Sequence, residues 1–193
     1  MSFTINQPFT RLIVCGPDKC GKTTLLTALS KTLNVPIFKS GREKSIFHHK
    51  DAQMQTLRYG VPLMLDLIKL YQQNIIFDRF YPCEYAYSKT YSRETDLEAL
   101  AVADTMWNFM GGKIIYLYKT IPFEKDDIAD YSKHKTLLQY YDEYFAKYAK
   151  SEVIKLCSNE SYFSYCTTLA KELNFTESQT TALINNIEKL IKK

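Results

Sequence analysis

The stretch that decides the fold runs Arg11-Leu12-Ile13-Val14-Cys15-Gly16-Pro17-Asp18-Lys19-Cys20-Gly21-Lys22-Thr23-Thr24. Its first five residues form a short run rich in β-branched and other apolar residues, which is typical of a buried strand. Residues 16–23 fit the pattern G-x-x-x-x-G-K-[ST], and leucines at helical spacing follow. Strand, glycine-rich loop and helix in this order predict a phosphate-binding loop (P-loop). The alternative is a glycine-rich turn that only links a strand to a helix.

The chemistry of this loop explains each residue type. Glycines allow backbone N–H groups to turn toward phosphate oxygens, and the amino terminus of the following helix favours negative charge. Lys22 would reach the β and γ phosphates of ATP, and the Thr23 hydroxyl would bind Mg²⁺. We therefore expect ATP and Mg²⁺ as cofactors. The residues expected to contact ATP are Gly16, Pro17, Asp18, Lys19, Cys20, Gly21, Lys22, Thr23 and Thr24.

Four further short apolar runs lie along the chain, at residues 35–38, 74–78, 113–118 and 153–157. Stretches with helical spacing separate them, and the runs are nearly continuous in apolar residues rather than alternating. This pattern predicts a doubly wound α/β fold, in which helices cover both faces of a five-stranded parallel sheet. Ligands of such folds bind at the carboxyl ends of the strands.

The last segment, about residues 176–193, predicts an additional C-terminal helix. Thr176 and Gln179 have the spacing of a capping box, and apolar residues follow on one helical face. We expect this helix to pack either on the domain or on a second subunit.

Composition limits the class of protein. The 193 residues, 46% apolar and 24% charged, suit a single domain that spans residues 1–193. Because the chain has no run of about 18 apolar residues and no signal sequence, we expect a cytoplasmic protein with no membrane partner. The five cysteines include no C-x-x-C pair, which argues against a zinc site or a disulfide framework. Lysines and arginines are dispersed, so a nucleic-acid partner is not expected despite the net charge of +4.

Two residues at the end of the 74–78 run complete the candidate phosphate site. Asp78 follows an apolar strand that should lie next to the P-loop strand, so it is the candidate for holding Mg²⁺ or its bound water. A surface aspartate in a turn is the alternative. Arg79 would place a permanent positive charge where negative charge develops during phosphoryl transfer.

Several segments match a known family. They are the loop GPDKCGKTT, the sequence Asp78-Arg79-Phe80 followed by Ala86-Tyr87, the loosely matching FKSGR at residues 38–42, and Arg58. Over residues 11–173 the chain resembles the thymidylate kinase family of P-loop nucleoside monophosphate kinases.

The resemblance implies an acceptor site. Asp18 would approach the sugar hydroxyl of the acceptor, and Arg42 and Arg79 would bind phosphoryl oxygens. Arg58 would hydrogen-bond the edge of the base, and Tyr87 would crowd a 2′-hydroxyl. The implied acceptor is a deoxynucleoside monophosphate, with dTMP as the first candidate, and the family resemblance also implies a homodimer.

The chain also departs from the family. Met54 stands where relatives have an aromatic residue stacked on the base, which leaves the identity of the base open. The expected lid, about residues 122–136, contains lysines and His134 but no arginine. Catalysis would then depend on Lys22, Arg79 and Lys19. Lys19 takes the place of a basic residue aimed at the γ phosphate in part of the family, or is an exposed loop lysine.

Other residues have either two possible interpretations or a purely structural one. Glu84 either lines the acceptor pocket or lies on an outer helix face. Tyrosines at residues 140–148 follow helical spacing and are expected to pack in the core. The Cys20 thiol, at a helix amino terminus, is expected to have a lowered pKa, so that its modification would block ATP binding.

Three functions are compatible with the sequence. The first is ATP-dependent phosphoryl transfer to a deoxynucleoside monophosphate. The second is a P-loop kinase that acts on a nucleoside or on nucleic acid, for which Asp18 or Glu84 would be the base. The third is a nucleotide-binding module without kinase activity.

Overall fold

The computed structural model of this chain describes residues 9–39, 54–120 and 131–192. Five strands form one sheet: β1 (Arg11–Cys15), β2 (Ile37–Lys39), β3 (Ile75–Asp78), β4 (Lys113–Tyr118) and β5 (Val153–Cys157). They are ordered β2-β3-β1-β4-β5, and every pair is parallel. The predicted parallel sheet is confirmed, and β2 begins two residues later than the apolar run suggested because Val35 belongs to the turn before the strand.

Seven α-helices surround the sheet within the described ranges. They are α1 (Lys22–Leu33), α2 (Val61–Leu70), α3 (Tyr81–Thr90), α4 (Leu97–Phe109), α5 (His134–Lys147), α6 (Tyr162–Glu172) and α7 (Glu177–Ile191). A π-helical turn, Thr56–Gly60, leads directly into α2, and a 3₁₀ turn, Tyr131–Lys133, precedes α5. Most of the expected lid, residues 122–130, lies outside the described residues.

The core has two halves, one on each face of the sheet. Helices α2 to α5 pack on one face, and this half of the core includes Ile13, Phe77 and Trp107. Helices α1, α6 and α7 pack on the other face, which includes Val14 and Ile76. Because side chains alternate along a strand, β1, β3, β4 and β5 each contribute to both halves, which explains their continuous apolar runs in the sequence.

The C-terminal helix begins where the sequence predicted. Thr176 caps α7, its side chain accepting from the Gln179 backbone N–H, while the Gln179 side chain accepts from the Thr176 N–H at 3.0 Å. Leu183 and Ile187 are fully buried, and α7 contacts α1 and α6. The helix therefore packs on its own domain. No helix in the described part of the chain is both long and apolar enough to cross a membrane.

Candidate active site

The loop between β1 and α1 has a backbone that only glycine permits at its two ends. Gly16 has φ of 140°, and a Cβ atom there would lie 1.9 Å from the carbonyl oxygen of Leu117 in β4. Gly21, with φ of 91°, is the residue that caps α1. In α1, which is described in full, no side chain caps the amino terminus and the first turn has no acidic residue. Its first N–H groups are thus suited to an anion such as phosphate.

The side chain of Lys22, the first residue of α1, folds back into this loop rather than into solvent. Its side chain is buried, and its amine donates to the carbonyl oxygen of Pro17 and contacts the Cys20 sulfur at 3.6 Å. Thr23, beside it on the first turn of α1, is exposed, and Thr24 is half-buried. The positive charge of Lys22 is therefore at the centre of the loop, where the sequence motif requires it.

Asp78 lies at the edge of the sheet where the loop begins. It pairs with Val14 in register, one residue before the end of β1. Like Val14 and Ile76, it occupies the face of the sheet covered by α1. Asp78 and Thr23 therefore lie on the same side of the same edge, as a shared Mg²⁺ would require. Among the described residues no cluster of three or more His, Cys, Asp or Glu side chains forms a metal site.

Arg79, Asp18 and Tyr87 form one hydrogen-bonded network on the other side of the loop. The Arg79 guanidinium forms an ion pair with Asp18 and donates to the Tyr87 hydroxyl at 2.8 Å. The Tyr87 hydroxyl in turn donates to Asp18 at 2.9 Å. Arg79 adopts a left-handed backbone with φ of 64°, and its N–H donates to the carbonyl oxygen of Val14. This turn directs the side chain away from the sheet toward the loop.

The network keeps Asp18 ionised. Partial burial acts to raise the pKa of Asp18, but Arg79, Lys22 and the Tyr87 hydroxyl together lower it below its usual value. Burial is also the main reason that the pKa of Tyr87 is raised. The tyrosine is therefore a hydrogen-bond donor and the aspartate an acceptor throughout the neutral pH range.

The other residues proposed from the sequence lie in different surroundings. Arg58 forms an ion pair with Asp96, the capping residue of α4. Glu84 is half-buried on α3 and accepts a hydrogen bond from Ser88. Met54 is half-buried next to the π-helical turn, and Arg42 lies outside the described residues.

Cys20 does not have the reactivity expected from the sequence. Its thiol is buried and donates to the carbonyl oxygens of Pro17, at 3.1 Å, and Leu117, at 3.0 Å. Burial raises the pKa of Cys20, and this outweighs the opposing effects of the Lys22 amine and Arg79. The expectation of a lowered pKa was wrong because the thiol faces the interior rather than the helix terminus.

Two residues of the site were missed by sequence reasoning. The Tyr141 hydroxyl of α5 donates to the carbonyl oxygen of Gly16 at 3.3 Å, although the tyrosine was expected only to pack in the core. Cys83 is buried in the first turn of α3. Burial acts to raise its pKa, but the neighbouring Cys15 thiol, the charge of Arg79 and the Tyr141 hydroxyl lower it below its usual value. The sequence signal for Cys83 was its position at a helix start soon after Arg79. No local sequence pattern indicated a site role for Tyr141.

Solved structures of other proteins share this arrangement of strands. The YorR protein from Bacillus subtilis, solved with phosphorylated GDP, is similar with a TM-score of 0.64 and 22% identity, over 86% of this chain and 94% of that one. Deoxyadenosine kinase from M. mycoides, solved with dCTP, is similar with a TM-score of 0.53 and 18% identity, over 86% and 99%. This chain has the fold of the P-loop kinases.

A sugar kinase from Janibacter sp. has a lower similarity, with a TM-score of 0.50 and 13% identity over 89% of this chain and 98% of that one. No protein-family model matches the sequence. No curated protein is similar to it in sequence either. At these identities the shared property is the fold.

Proposed function

We propose that this protein is an ATP- and Mg²⁺-dependent kinase that transfers the γ-phosphoryl group of ATP to a deoxynucleoside monophosphate. The observation that carries the proposal is the network of Arg79, Asp18 and Tyr87 next to the phosphate loop. It combines a cation for phosphoryl oxygens, a carboxylate for a sugar hydroxyl and a rigid aromatic ring. The acceptor to test first is dTMP.

The loop would hold ATP. Backbone N–H groups of residues 18–23 would surround the phosphates, and the Lys22 amine would exchange the Pro17 carbonyl for a phosphate oxygen. Thr23 and Asp78 would hold Mg²⁺, which neutralises charge on the β and γ phosphates. Lys19, with a left-handed backbone in the loop, would add a positive charge near the γ phosphate.

The acceptor would lie on the side of Arg79. Its phosphate is already ionised at neutral pH, so attack on the γ phosphorus needs positioning and charge stabilisation rather than a base. Asp18 accepts from the sugar hydroxyl, and Tyr87 fills the space of a 2′-hydroxyl. Further acceptor contacts from Arg42, Met54, Arg58 and Glu84 remain part of the proposal.

A nucleoside acceptor is the second candidate. Deoxyadenosine kinase from M. mycoides shares the fold, and a hydroxyl acceptor requires a base, for which the ionised Asp18 is available. A polynucleotide end belongs to this second class. A nucleotide-binding module without transfer activity is the third candidate.

The deciding experiment is ADP release from ATP and Mg²⁺ with each of the common deoxy- and ribonucleoside monophosphates, and with nucleosides and a short oligonucleotide. Stimulation by a deoxynucleoside monophosphate supports the proposal, whereas stimulation by nucleosides or the oligonucleotide alone favours the second candidate. Slow ATP hydrolysis that no acceptor changes favours the third.

The variant Lys22→Ala tests whether turnover depends on the phosphate loop. We expect it to lower turnover at least about a hundredfold, because the charge that holds the phosphates is lost. The matched control is Lys31→Ala, an exposed lysine at the other end of α1. Near-normal turnover in Lys22→Ala contradicts the assignment.

We also propose that the protein forms a homodimer. The outer face of α2 and the end of α4 expose large apolar side chains, with Leu63 62%, Leu70 71% and Phe109 75% exposed. Apolar patches of this kind are commonly covered in an oligomer. Analytical ultracentrifugation checks the assembly, and a monomer at micromolar concentration contradicts it.

A further inference from the structure

The carbonyl group of Gly16, where the phosphate loop begins, lies inside the protein rather than at its surface. Gly16 and Pro17 are both buried, whereas Asp18 and Lys19, which follow, are exposed. The carbonyl oxygen of Gly16 accepts a hydrogen bond from the hydroxyl of Tyr141 at 3.3 Å, across 125 residues of chain. Because a buried carbonyl without a donor is unfavourable, this bond stabilises the direction in which the Gly16 carbonyl points.

Gly16 is also the point at which the chain can most easily rotate as it leaves β1. It has no Cβ atom, so its two backbone angles are less restricted than those of other residues. Pro17 is the opposite case, because its ring fixes φ. The peptide group between them and the proline ring therefore turn together about Gly16. A donor that holds the Gly16 carbonyl fixes the direction in which the rest of the loop starts.

This direction decides whether the loop can bind an anion. The loop binds phosphate through N–H groups that point inward, while its carbonyl oxygens, which would repel phosphate oxygens, point outward. The carbonyl oxygen of Pro17 accepts from the Lys22 amine and, at 3.1 Å, from the Cys20 thiol. The two carbonyls that begin the loop are thus both held by side-chain donors. Rotation about Gly16 would misalign the N–H groups that follow.

Tyr141, on α5, is held rigidly at this position. Its side chain is fully buried. Its ring stacks on Tyr116 of β4, with 5.0 Å between ring centroids, and meets the ring of Tyr87 edge-on at 6.5 Å. Tyr116 pairs in register with Cys15, the residue before Gly16. The ring of Tyr141 is therefore confined from two sides next to the end of β1, and its hydroxyl holds the Gly16 carbonyl in one place.

The hydroxyl of Tyr141 keeps its proton but has a second neighbour. Burial, more than any neighbouring charge, raises the pKa of Tyr141 well above its usual value, so the hydroxyl is a donor throughout the neutral pH range. The Cys83 sulfur also lies within hydrogen-bond contact of this hydroxyl. Since one hydroxyl hydrogen is donated to one acceptor at a time, the contacts with Gly16 and Cys83 have to be separated by experiment.

We propose that Tyr141 is a positioning residue for ATP, whose hydroxyl holds the Gly16 carbonyl so that the phosphate loop keeps its anion-binding shape. Tyr141 acts through Gly16 and does not itself contact a phosphate. The inference rests on the proposed function, because it takes the loop as the ATP site, but it does not depend on the identity of the acceptor.

Tyr141→Phe tests the proposal, because it removes the hydroxyl and keeps the ring. The matched control is Tyr144→Phe. Tyr144 lies on the same helix and is also buried, and its hydroxyl has no hydrogen-bond partner in the described part of the chain. Both variants lose one buried hydroxyl, but only Tyr141→Phe loses a bond to the loop. Thermal unfolding of both variants, compared with the wild type, verifies that the fold is kept.

The measurement is calorimetric binding of ATP with Mg²⁺ in the absence of an acceptor. We expect Tyr141→Phe to bind ATP about fivefold more weakly, the effect of one uncharged hydrogen bond, because a smaller share of the molecules then has the loop in its binding shape. Tyr144→Phe should bind ATP as the wild type does. Wild-type affinity in Tyr141→Phe overturns the inference, and so does an equal loss in Tyr144→Phe.

Steady-state kinetics separates this role from a general loosening of the site. In Tyr141→Phe the KM of ATP should rise by the same factor as the dissociation constant. The KM of the acceptor should keep its wild-type value, because the ring that contacts Tyr87 is still present. A rise in the KM of the acceptor without a rise in the KM of ATP would place the role of Tyr141 on the acceptor side and overturns the inference.

A double-mutant cycle separates the two contacts of the hydroxyl. In a Cys83→Ala background, Tyr141→Phe should still weaken ATP binding about fivefold, because the Gly16 carbonyl loses the same donor. If Tyr141→Phe has no effect on ATP binding in that background, the hydroxyl acts through Cys83 and the inference is overturned.

Failure of the proposed function gives a different result. If the wild type binds ATP but phosphorylates no monophosphate, the assignment of the acceptor fails, whereas weaker ATP binding by Tyr141→Phe still supports the inference. Wild-type ATP binding by Tyr141→Phe overturns the inference even if the wild type phosphorylates dTMP.

Discussion

The hydroxyl of Tyr87 donates a hydrogen bond to Oδ2 of Asp18 across 69 residues of chain, at 2.9 Å. The same hydroxyl accepts from Arg79, so one tyrosine connects both charged groups of the network. Its position on α3, buried against Tyr141 at a ring distance of 6.5 Å, leaves it little freedom. The Asp18 carboxylate is thus held in place by two donors, one from the turn before α3 and one from α3 itself.

Tyr87→Phe should lower kcat/KM for the acceptor about tenfold or more, because a hydrogen bond to a charged group is lost while the ring remains. The measurement is steady-state kinetics with dTMP and ATP varied separately. Tyr71→Phe, which removes the hydroxyl of a tyrosine that is 65% exposed, is the control. Equal kinetics of the Tyr87 variant and the wild type would show that the network does not serve the acceptor.

Gly16→Ala should destabilise the fold by about 4 kcal/mol or more, since both backbone strain and a main-chain clash arise. The new Cβ would lie 1.9 Å from the Leu117 carbonyl oxygen. The control is Gly111→Ala, which has a positive φ of 70° but no atom within 4 Å of the new Cβ. It should cost only about 1 kcal/mol, the strain of a left-handed backbone. Urea unfolding measures both, and similar losses in the two variants would contradict the clash.

Alkylation of the folded protein should spare Cys20. Four cysteines are buried and Cys157 is partly exposed, so iodoacetamide should modify Cys157 first and Cys20 only after unfolding. Mass spectrometry of the labelled peptides, at several times, measures each rate. Labelling in urea is the control, because all five thiols then react. Cys20 labelling as fast as Cys157 in the folded state would show that the loop opens in solution.

Tyr144→Phe should become increasingly stabilising as the pH rises. The buried Tyr144 hydroxyl has no hydrogen-bond partner among the residues that the structure describes, and burial, followed by the charge of Asp104, raises the pKa of Tyr144. In the unfolded chain a tyrosine ionises near pH 10. The folded state keeps the proton of the Tyr144 hydroxyl to a higher pH. The contribution of Tyr144 to the free energy of unfolding is therefore complete below about pH 10 and is lost as the pH rises further.

Tyr144→Phe has no hydroxyl to ionise, so the variant does not lose stability in this way as the pH rises. We expect a gain of about 1 kcal/mol at pH 8, from removal of an unpaired polar group, and a larger gain at pH 11. Urea unfolding at both values measures it, with Tyr71→Phe as the exposed control. A gain that is the same at pH 8 and pH 11 would mean that Tyr144 ionises normally in the folded protein.

Much of the fold could be predicted from the sequence because its signals are local. The loop from Gly16 to Thr23 lies between a strand and a helix as the motif required. The five apolar runs became five parallel strands, and Thr176 with Gln179 formed the capping box at the start of α7. Periodicity and capping depend on neighbouring residues, so a sequence reports them directly.

The sequence by itself determined the parallel α/β fold, the position of the phosphate loop and the nature of its charged residues. Only the tertiary structure decided that Tyr141, 125 residues from Gly16, binds the loop, that Asp96 holds Arg58, and that the Cys20 thiol faces inward. These relationships join elements that are distant in the chain. Helical or strand spacing shows which side of an element is apolar, but which elements meet, and which polar groups lose water there, depends on how the whole core packs.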